Sequence, residues 1–545
     1  MADRFKTFLL QAIVFVLLFQ GGTLAYGYFF PSDIALSVIE APSSAQVGGS
    51  HSIGDKKRYV RVETNKLSMI IDRLGGRIVQ VSFPEYRSYS SDASMRFLEA
   101  SKTSALNAQA GIVGDEAILF RTAQPSYKIS KGRAVVALQA ESSSGVRFSK
   151  EFQFDSDAYS VGVFVRATNG SERMFTASSY HAFGGEAYSD IEGQTATPSS
   201  KDVSFDGEGS EFVSAIRGYS GISYTTNSKP YVRVKYSDMA SRAPDRTKGG
   251  WLAFQKHQFL AAWSLQEKES FQVKNFWREG LVAEDSATFK QAFASQAVSA
   301  KKELRPGDSF SERSTLFVGP QKHDLMAEVD GTLRLTFDYG FFWMFASFLH
   351  KALRFIHTFV PSWGWSLVVL IAALRLVFFK STRDQALQAE KLNKMKPEKD
   401  ALEARFAGRP RLDPEMNEAR LALYKKHGIQ MMSLAAFLPL LQLPLLLAFY
   451  GMITAVVDFR AEHFLWLNDL AAPDPFYVLP VFAAVVMYLQ SAEMSVSEDF
   501  KLVARYMPVI FLFFGVKFPA ALQLYIGLNT GLGVLQNKLL AKKKK

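Results

Sequence analysis

The sequence predicts a multidomain membrane protein: an N-terminal anchor helix, an exported all-β sandwich, and an α-helical transmembrane region of five helices. Three observations predict it. Residues 58–319 alternate apolar and polar side chains in short runs separated by Gly, Asn, Asp and Ser. Residues 341–536 are crowded with Phe, Leu, Val and Ala in blocks near the roughly 20 residues that a helix needs to cross a bilayer. Lys and Arg cluster in some of the short connections between those blocks and are scarce in others, as the positive-inside rule requires.

Taken in order, residues 1–7 are short and basic on balance, and Phe8 to Phe30 then run without a charge. That length suits a retained anchor (1–30) better than a cleaved leader, whose apolar core is shorter. Residues 31–57 carry Gly, Ser and Pro with no helical period and read as a linker. The β domain is assigned to 58–335. Tyr59–Glu63, Val146–Phe154, Ser160–Arg166 and Tyr231–Tyr236 are its clearest strands, and a short helix from Gln321 to Leu333 closes it. Many short strands at this spacing imply an antiparallel sandwich.

Residues 336–358 read as an amphipathic helix lying in the membrane interface. Helical spacing gathers His350, Lys351, Arg354 and His357 on one side, with Phe341, Phe345, Phe348, Leu349, Ala352 and Ile356 largely opposite. The transmembrane region (359–536) has spans near 360–380, 434–457 and 475–491. A final stretch, 506–536, is divided into two by Lys517-Phe518-Pro519. Residues 380–430, with 12 Lys/Arg and 8 Asp/Glu and a break near Gly408–Pro414, read as a helical hairpin. The loop 458–474 holds four acids and only Arg460 among Lys and Arg. A basic tail (537–545) ends in Lys542–Lys545. The charges then place both termini, 380–430 and 492–505 in the cytoplasm, and the β domain and 458–474 in a periplasm.

The net charge of +11 fits an anionic membrane rather than DNA, because it accompanies the apolar blocks. With no cysteine, disulfides, thiolate metal sites and Cys nucleophiles are excluded. The eight histidines have no metal-binding spacing, so no metal, and no catalytic set, is expected. In the β domain His181, His257 and several acids suggest a sugar site, and isolated residues of these kinds are more often surface or structural. There is no GxxxxGK[ST] motif and hence no recognisable nucleotide-driven step.

Arg375 stands out inside the apolar run Trp363–Phe379. Placing Arg at a bilayer centre costs about 2.5–3.5 kcal/mol on insertion scales. Two readings stand on the residues alone. The guanidinium snorkels to the headgroups beside Lys380, or it faces a wet cavity with polar partners from other spans. The candidates for such partners are Gln442, between Pro439 and Pro444, and Gln523, Tyr525, Asn529 and Thr530 in the last span.

Several segments together resemble the YidC membrane protein insertases in order and spacing. They are Phe355–Arg375, Leu440–Tyr450, Phe464–Leu470, Asp474–Pro480, Tyr506–Phe511 and Phe518–Leu522. The anchor and large exported domain resemble the Gram-negative form. The resemblance implies a β-supersandwich and a five-helix insertase core with a groove open to cytoplasm and lipid. Arg375 takes the groove arginine's place and Gln442 that of a groove-side glutamine. It also implies nascent membrane proteins as substrates and no cofactor. The implied partners are the ribosome (through the hairpin and basic tail), the Sec translocon and anionic lipids, in a multi-pass inner-membrane protein. The sequence departs from the family at Ile429–Ser433, at Ala521, where a Gly is usual, and at Tyr525-Ile526, where a Tyr pair is usual. A small-solute transporter and a membrane-anchored sugar-active enzyme are the rival readings.

Overall fold

A computed structural model describes residues 58–87, 94–98, 104–190, 219–234, 238–256, 258–278, 288–406, 414–429, 434–493 and 498–542. The expected anchor 1–30, the linker 31–57 and His257 lie outside them.

Alternation dictates the β domain. In Val146–Asp155, buried Val146, Phe148, Lys150, Phe152 and Phe154 alternate with outward-facing polar residues, the period-2 pattern of a half-buried strand. One antiparallel ladder runs through Arg133–Glu141, Val146–Asp155, Ser160–Asn169, Ser309–Pro320 and Phe259–Ser264. A second runs through Phe271–Arg278, Thr288–Ser299, Ser179–Asp190 and Ser104–Ile112. The 20-residue strand Phe259–Arg278 belongs to both, its first half in one ladder and its second half in the other. Trp251, Trp263, Phe83, Phe97 and Phe259 fill the core, with Phe83 and Phe259 stacked at 4.9 Å.

Two buried polar residues are settled here. Lys150 is fully buried, 3.0 Å from Asp115, and donates to the carbonyls of Gly75 and Ala110, so its charge is paired and its protons are used. His181 is fully buried between the rings of Trp263 and Phe271, with neither ring nitrogen hydrogen-bonded. That is a core position, closed to a substrate.

Nine α-helices follow among the described residues: α1 (His323–Ala327), α2 (Trp343–His357), α3 (Trp363–Val377), α4 (Phe379–Arg405), α5 (Pro414–Lys426), α6 (Leu434–Ala455), α7 (Val478–Glu493), α8 (Glu498–Gly515) and α9 (Ala520–Lys542). Ser362 caps α3 through its hydroxyl, and Pro361 stops the helix from starting earlier. Ion pairs of Glu398 with Lys426 and of Glu403 with Arg420 hold α4 and α5 side by side. The segment expected as a basic tail is helical through Lys542.

No single helix among the described residues is long and apolar enough to cross a membrane. Trp363–Val377 and Phe379–Leu392 meet that test only as a pair, bent by 56° where they join. Alone, the 15 residues of α3 rise only about 22 Å, short of a hydrocarbon core of about 30 Å.

Helix α2 departs from the sequence pattern at His350 and at His357, the latter half-buried and stacked on Trp363 at 3.8 Å. His350, expected on the polar face, is buried. Tyr339 meets its Nδ1 at 2.6 Å, and the rings of Phe337 and His323 both lie stacked near its own. A hydrogen-bond partner and flat aromatic neighbours make burial cheaper than exposure there. Lys351 and Arg354 are exposed as expected. Ala346, Leu349 and Leu353 face the helical core, while Phe348 and Phe355 face outward.

The β domain grips the helical region at the end of α6. Gln258, buried in a strand hairpin, donates to the carbonyls of Ile453 in the last turn of α6 and of Val456 just beyond it. Lys322 pairs with Asp458 at 2.8 Å, and the Arg460 guanidinium lies over the Phe259 ring.

Candidate functional site

Arg375 occupies the last turn of α3, just before the bend into α4. It is half-buried, and its Nε is shielded from solvent without a hydrogen-bond partner. No carboxylate pairs with it among the described residues; the Tyr525 phenol, an uncharged group, lies near it. What makes room for the guanidinium is an absent side chain. A Cβ on Gly533 of α9 would lie 2.5 Å from Nη2 and 3.3 Å from Cζ. The charge therefore sits in a notch cut by glycine.

The same side of α9 is a polar stripe. Tyr525, Asn529, Gly533 and Gln536 fall within about 80° of arc at 100° per residue. Tyr525 is buried and stacks on Phe449 of α6 at 4.2 Å, which fixes its ring. Asn529 is half-buried one turn above the notch. Gln536, one turn below, donates to the carbonyl of Phe379 (3.2 Å) and to the Thr382 hydroxyl (2.9 Å). It thereby ties α9 to the first turn of α4, just after the bend.

The structure separates the candidate residues. Arg375, Tyr525 and Asn529 gather on one side of α9. Gln442 lies in α6, seven residues before Phe449, and its side chain is outside the described part. Thr530 is half-buried about 140° around the helix from Tyr525. Gln523 is fully buried, and its amide donates to the carbonyls of Gly515 and Phe518. That amide closes the α8–α9 turn. Gly533 and Gln536 were missed in the sequence. Their signal was the four- and seven-residue steps from Asn529, legible once the face carrying Arg375 is known.

Two further glycines explain how α9 lies so close to α7. A Cβ on Gly527 would meet Phe482 at 2.7 Å, and Gly531, one turn on, faces Val486. This small-xxx-small spacing lets helix backbones approach.

Comparison with known proteins accounts for most of the chain. Residues 59–352 match the YidC periplasmic domain, and residues 355–545 match the 60Kd inner membrane protein family. The membrane protein insertase YidC of Stutzerimonas stutzeri is 28% identical over 494 residues, covering 88% of this chain and 83% of that one. The protein of the same name from Pseudomonas fluorescens is 27% identical over 532 residues, covering 93% and 87%. Among solved structures, an active YidC insertase crystal structure aligns over 88% of this chain and 92% of that chain, at 15% identity and a TM-score of 0.37. The chain belongs to the YidC family, inner-membrane proteins that insert membrane proteins and are not enzymes.

Proposed function

We propose that this chain moves nascent membrane proteins from the cytoplasm into the bilayer through a hydrophilic groove containing Arg375, without nucleotide hydrolysis. The observation that carries the reading is an uncompensated guanidinium held in a glycine notch beside the polar stripe of α9. An acidic or polar flank of a substrate is drawn to that charge. Two unit charges 4 Å apart attract by about 4 kcal/mol at an effective dielectric of 20, against about 1 kcal/mol in water. The substrate's apolar segment then follows the exposed Val, Phe and Ile side chains of α7 and α8 into lipid, driven by burial of its own apolar surface. The work comes from partition and from the membrane potential acting on the translocated charge.

In this reading the bent pair of α3 and α4, together with α6, α7, α8 and α9, forms a five-helix core behind an N-terminal anchor. Both termini are cytoplasmic and the β domain is periplasmic. The charge pattern supports that orientation, since 380–430 is basic on balance and 458–474 acidic. The α4–α5 hairpin and the lysine-rich end of α9 are the surfaces for the ribosome and anionic lipid, and the chain also assists folding with the Sec translocon. Gln442 and Asn529 line the groove with Arg375, and Tyr525 forms part of its wall.

The test is insertion of single-span substrates by reconstituted protein. Arg375→Lys retains much of the activity if charge alone is required, and Arg375→Ala loses it. Full activity of Arg375→Ala overturns the reading.

A further inference from the structure

The loop between α6 and α7 inverts the usual surface rule. None of its four acids is exposed, yet three of its large apolar residues and the first residue of α7 are. Asp458 pairs with Lys322, and Glu462 accepts from the Ser362 hydroxyl at 2.6 Å. Asp469 accepts from the backbone N–H of Ala471 and Ala472. Asp474, 1% exposed, accepts from the Trp466 indole and from the backbone N–H of Phe476 and Leu479. Outward instead point Leu465 (66% exposed), Phe476 (68%), Tyr477 (55%) and Val478 (46%).

That display is built at a cost. Leu465 and Tyr477 are the non-glycine residues with positive φ among the described ones, at 55° and 58°. Each such position costs on the order of 1 kcal/mol or more, and persists only where the surroundings enforce it. The Asp474 hub and the backbone pairing of Phe464 with Leu467 enforce it here.

From this we propose that the loop is an outer-leaflet anchor: Leu465, Phe476, Tyr477 and Val478 sit among phospholipids at the periplasmic face of the bilayer. The occupant is lipid because of where the loop is held. Its Phe464 ring meets Trp365 in the first turn of α3, and its Leu470 and Ala472 carbonyls accept from the first residues of α9. The loop is therefore level with the helix ends. Exposed Trp365, Phe359 and Phe355 continue the apolar band around α3 and α2, as in the aromatic belts of membrane proteins. Acids satisfied by protein partners, in the loop or beside it, are what a low-dielectric boundary demands.

The proposal rests on the membrane-spanning reading above, and the test separates the two. The chain has no cysteine, so single cysteines at Leu465, Phe476, Val485 and Val135 report unambiguously. Each carries a nitroxide in the full chain, reconstituted into phosphatidylethanolamine–phosphatidylglycerol vesicles, and is read by collision with oxygen (lipid) and with a nickel chelate (water). Val485, exposed at mid-α7, is the lipid control, and Val135, exposed on the β domain, is the water control. The expected result is that positions 465 and 476 follow position 485, with oxygen collisions exceeding nickel collisions, while 135 shows the reverse. If 485 follows oxygen but 465 and 476 follow nickel, the anchor is overturned and the spans stand. If 465 and 476 are shielded from both reagents, a protein covers the loop and the lipid assignment is equally overturned. If 485 itself follows nickel, the spanning reading fails and takes the anchor with it. Phe476→Asp, whose backbone φ is ordinary, adds a fold-preserving arm: the label at 465 moves toward the nickel side.

Discussion

Filling the glycine notch at position 533 isolates the placement of the charge from its presence. In a helix interior, Ala is favoured over Gly by about 0.8–1.0 kcal/mol, so Gly533→Ala keeps or raises the stability of α9 if nothing else changes. The new Cβ, however, lies 2.5 Å from the Arg375 Nη2. Ordinary contact needs about 3.5 Å, so the guanidinium must retreat by about 1 Å. It has the freedom to do so, being the far end of a flexible side chain, and the fold survives. Gly533→Leu fills the notch and expels the guanidinium. Insertion of a single-span substrate with an acidic flank, read by protease protection in proteoliposomes, is expected to fall modestly for Gly533→Ala. For Gly533→Leu it falls to the level of Arg375→Ala, with the melting temperature in detergent held. Adding Gly533→Leu to Arg375→Ala causes no further loss, because both changes remove one interaction. Full insertion by Gly533→Leu refutes the claim that this geometry positions the charge.

Two further predictions concern the polar groups that the structure buries. Replacing Gln536 by Leu strips the bend of the hydrogen bonds from its amide to the Phe379 carbonyl and the Thr382 hydroxyl, leaving Thr382 as that carbonyl's side-chain donor. A loss of about 1–3 kcal/mol is expected in denaturant melts, with Thr382→Val costing less because the Phe379 contact remains. In the β domain, burial raises the Glu312 carboxyl to about 7 and lowers the His181 imidazole to about 3. Glu312's folded value is raised, so its contribution is full below the unfolded range near 4.5 and is lost as pH rises through 7. His181's folded value is lowered, so its contribution is full above about 6.5 and is lost as pH falls toward 3. Between about 4.5 and 6.5 the slopes oppose, each about 1.4 kcal/mol per pH unit. Relative to the unchanged chain, Glu312→Gln therefore becomes less stable on acidification through that window, and His181→Leu more stable. Parallel pH profiles for all three proteins would refute both assignments.

The β domain was legible because period-2 alternation is a local signal: Val146–Phe154 and Ser160–Arg166 are strands within a few residues of their expected limits. The family was legible because six motifs fall in order. Burial of individual polar residues was less accessible, since it depends on partners far away in sequence. His350 has the spacing of a solvated residue, but Tyr339 and Phe337 turn it inward. Gln523 shares the polar character of Asn529, yet the nearby turn at Gly515–Phe518 consumes its amide. Gly533 illustrates the other limit. A glycine in a helix announces a close approach without naming what approaches, and only the fold supplies Arg375.

Helix α6 joins these observations into one mechanical argument. Its C-terminal end is held by Gln258 of the β domain, and its middle is tied to α9 by the stack of Phe449 on Tyr525. Tyr525 begins the polar stripe that ends at Gln536, and Gln536 fixes the bend beside Arg375. The chain of contacts therefore runs from the β domain to the cation without passing through α7 or α8. Those two helices carry long exposed apolar faces, at Val481, Val485 and Leu489 and at Val509, Ile510 and Phe513. On the mechanism proposed above, a frame of α3, α6 and α9 holds the charge still while α7 and α8 present the apolar path. The polar flank needs a fixed attractor, whereas the apolar segment needs only a surface to slide along.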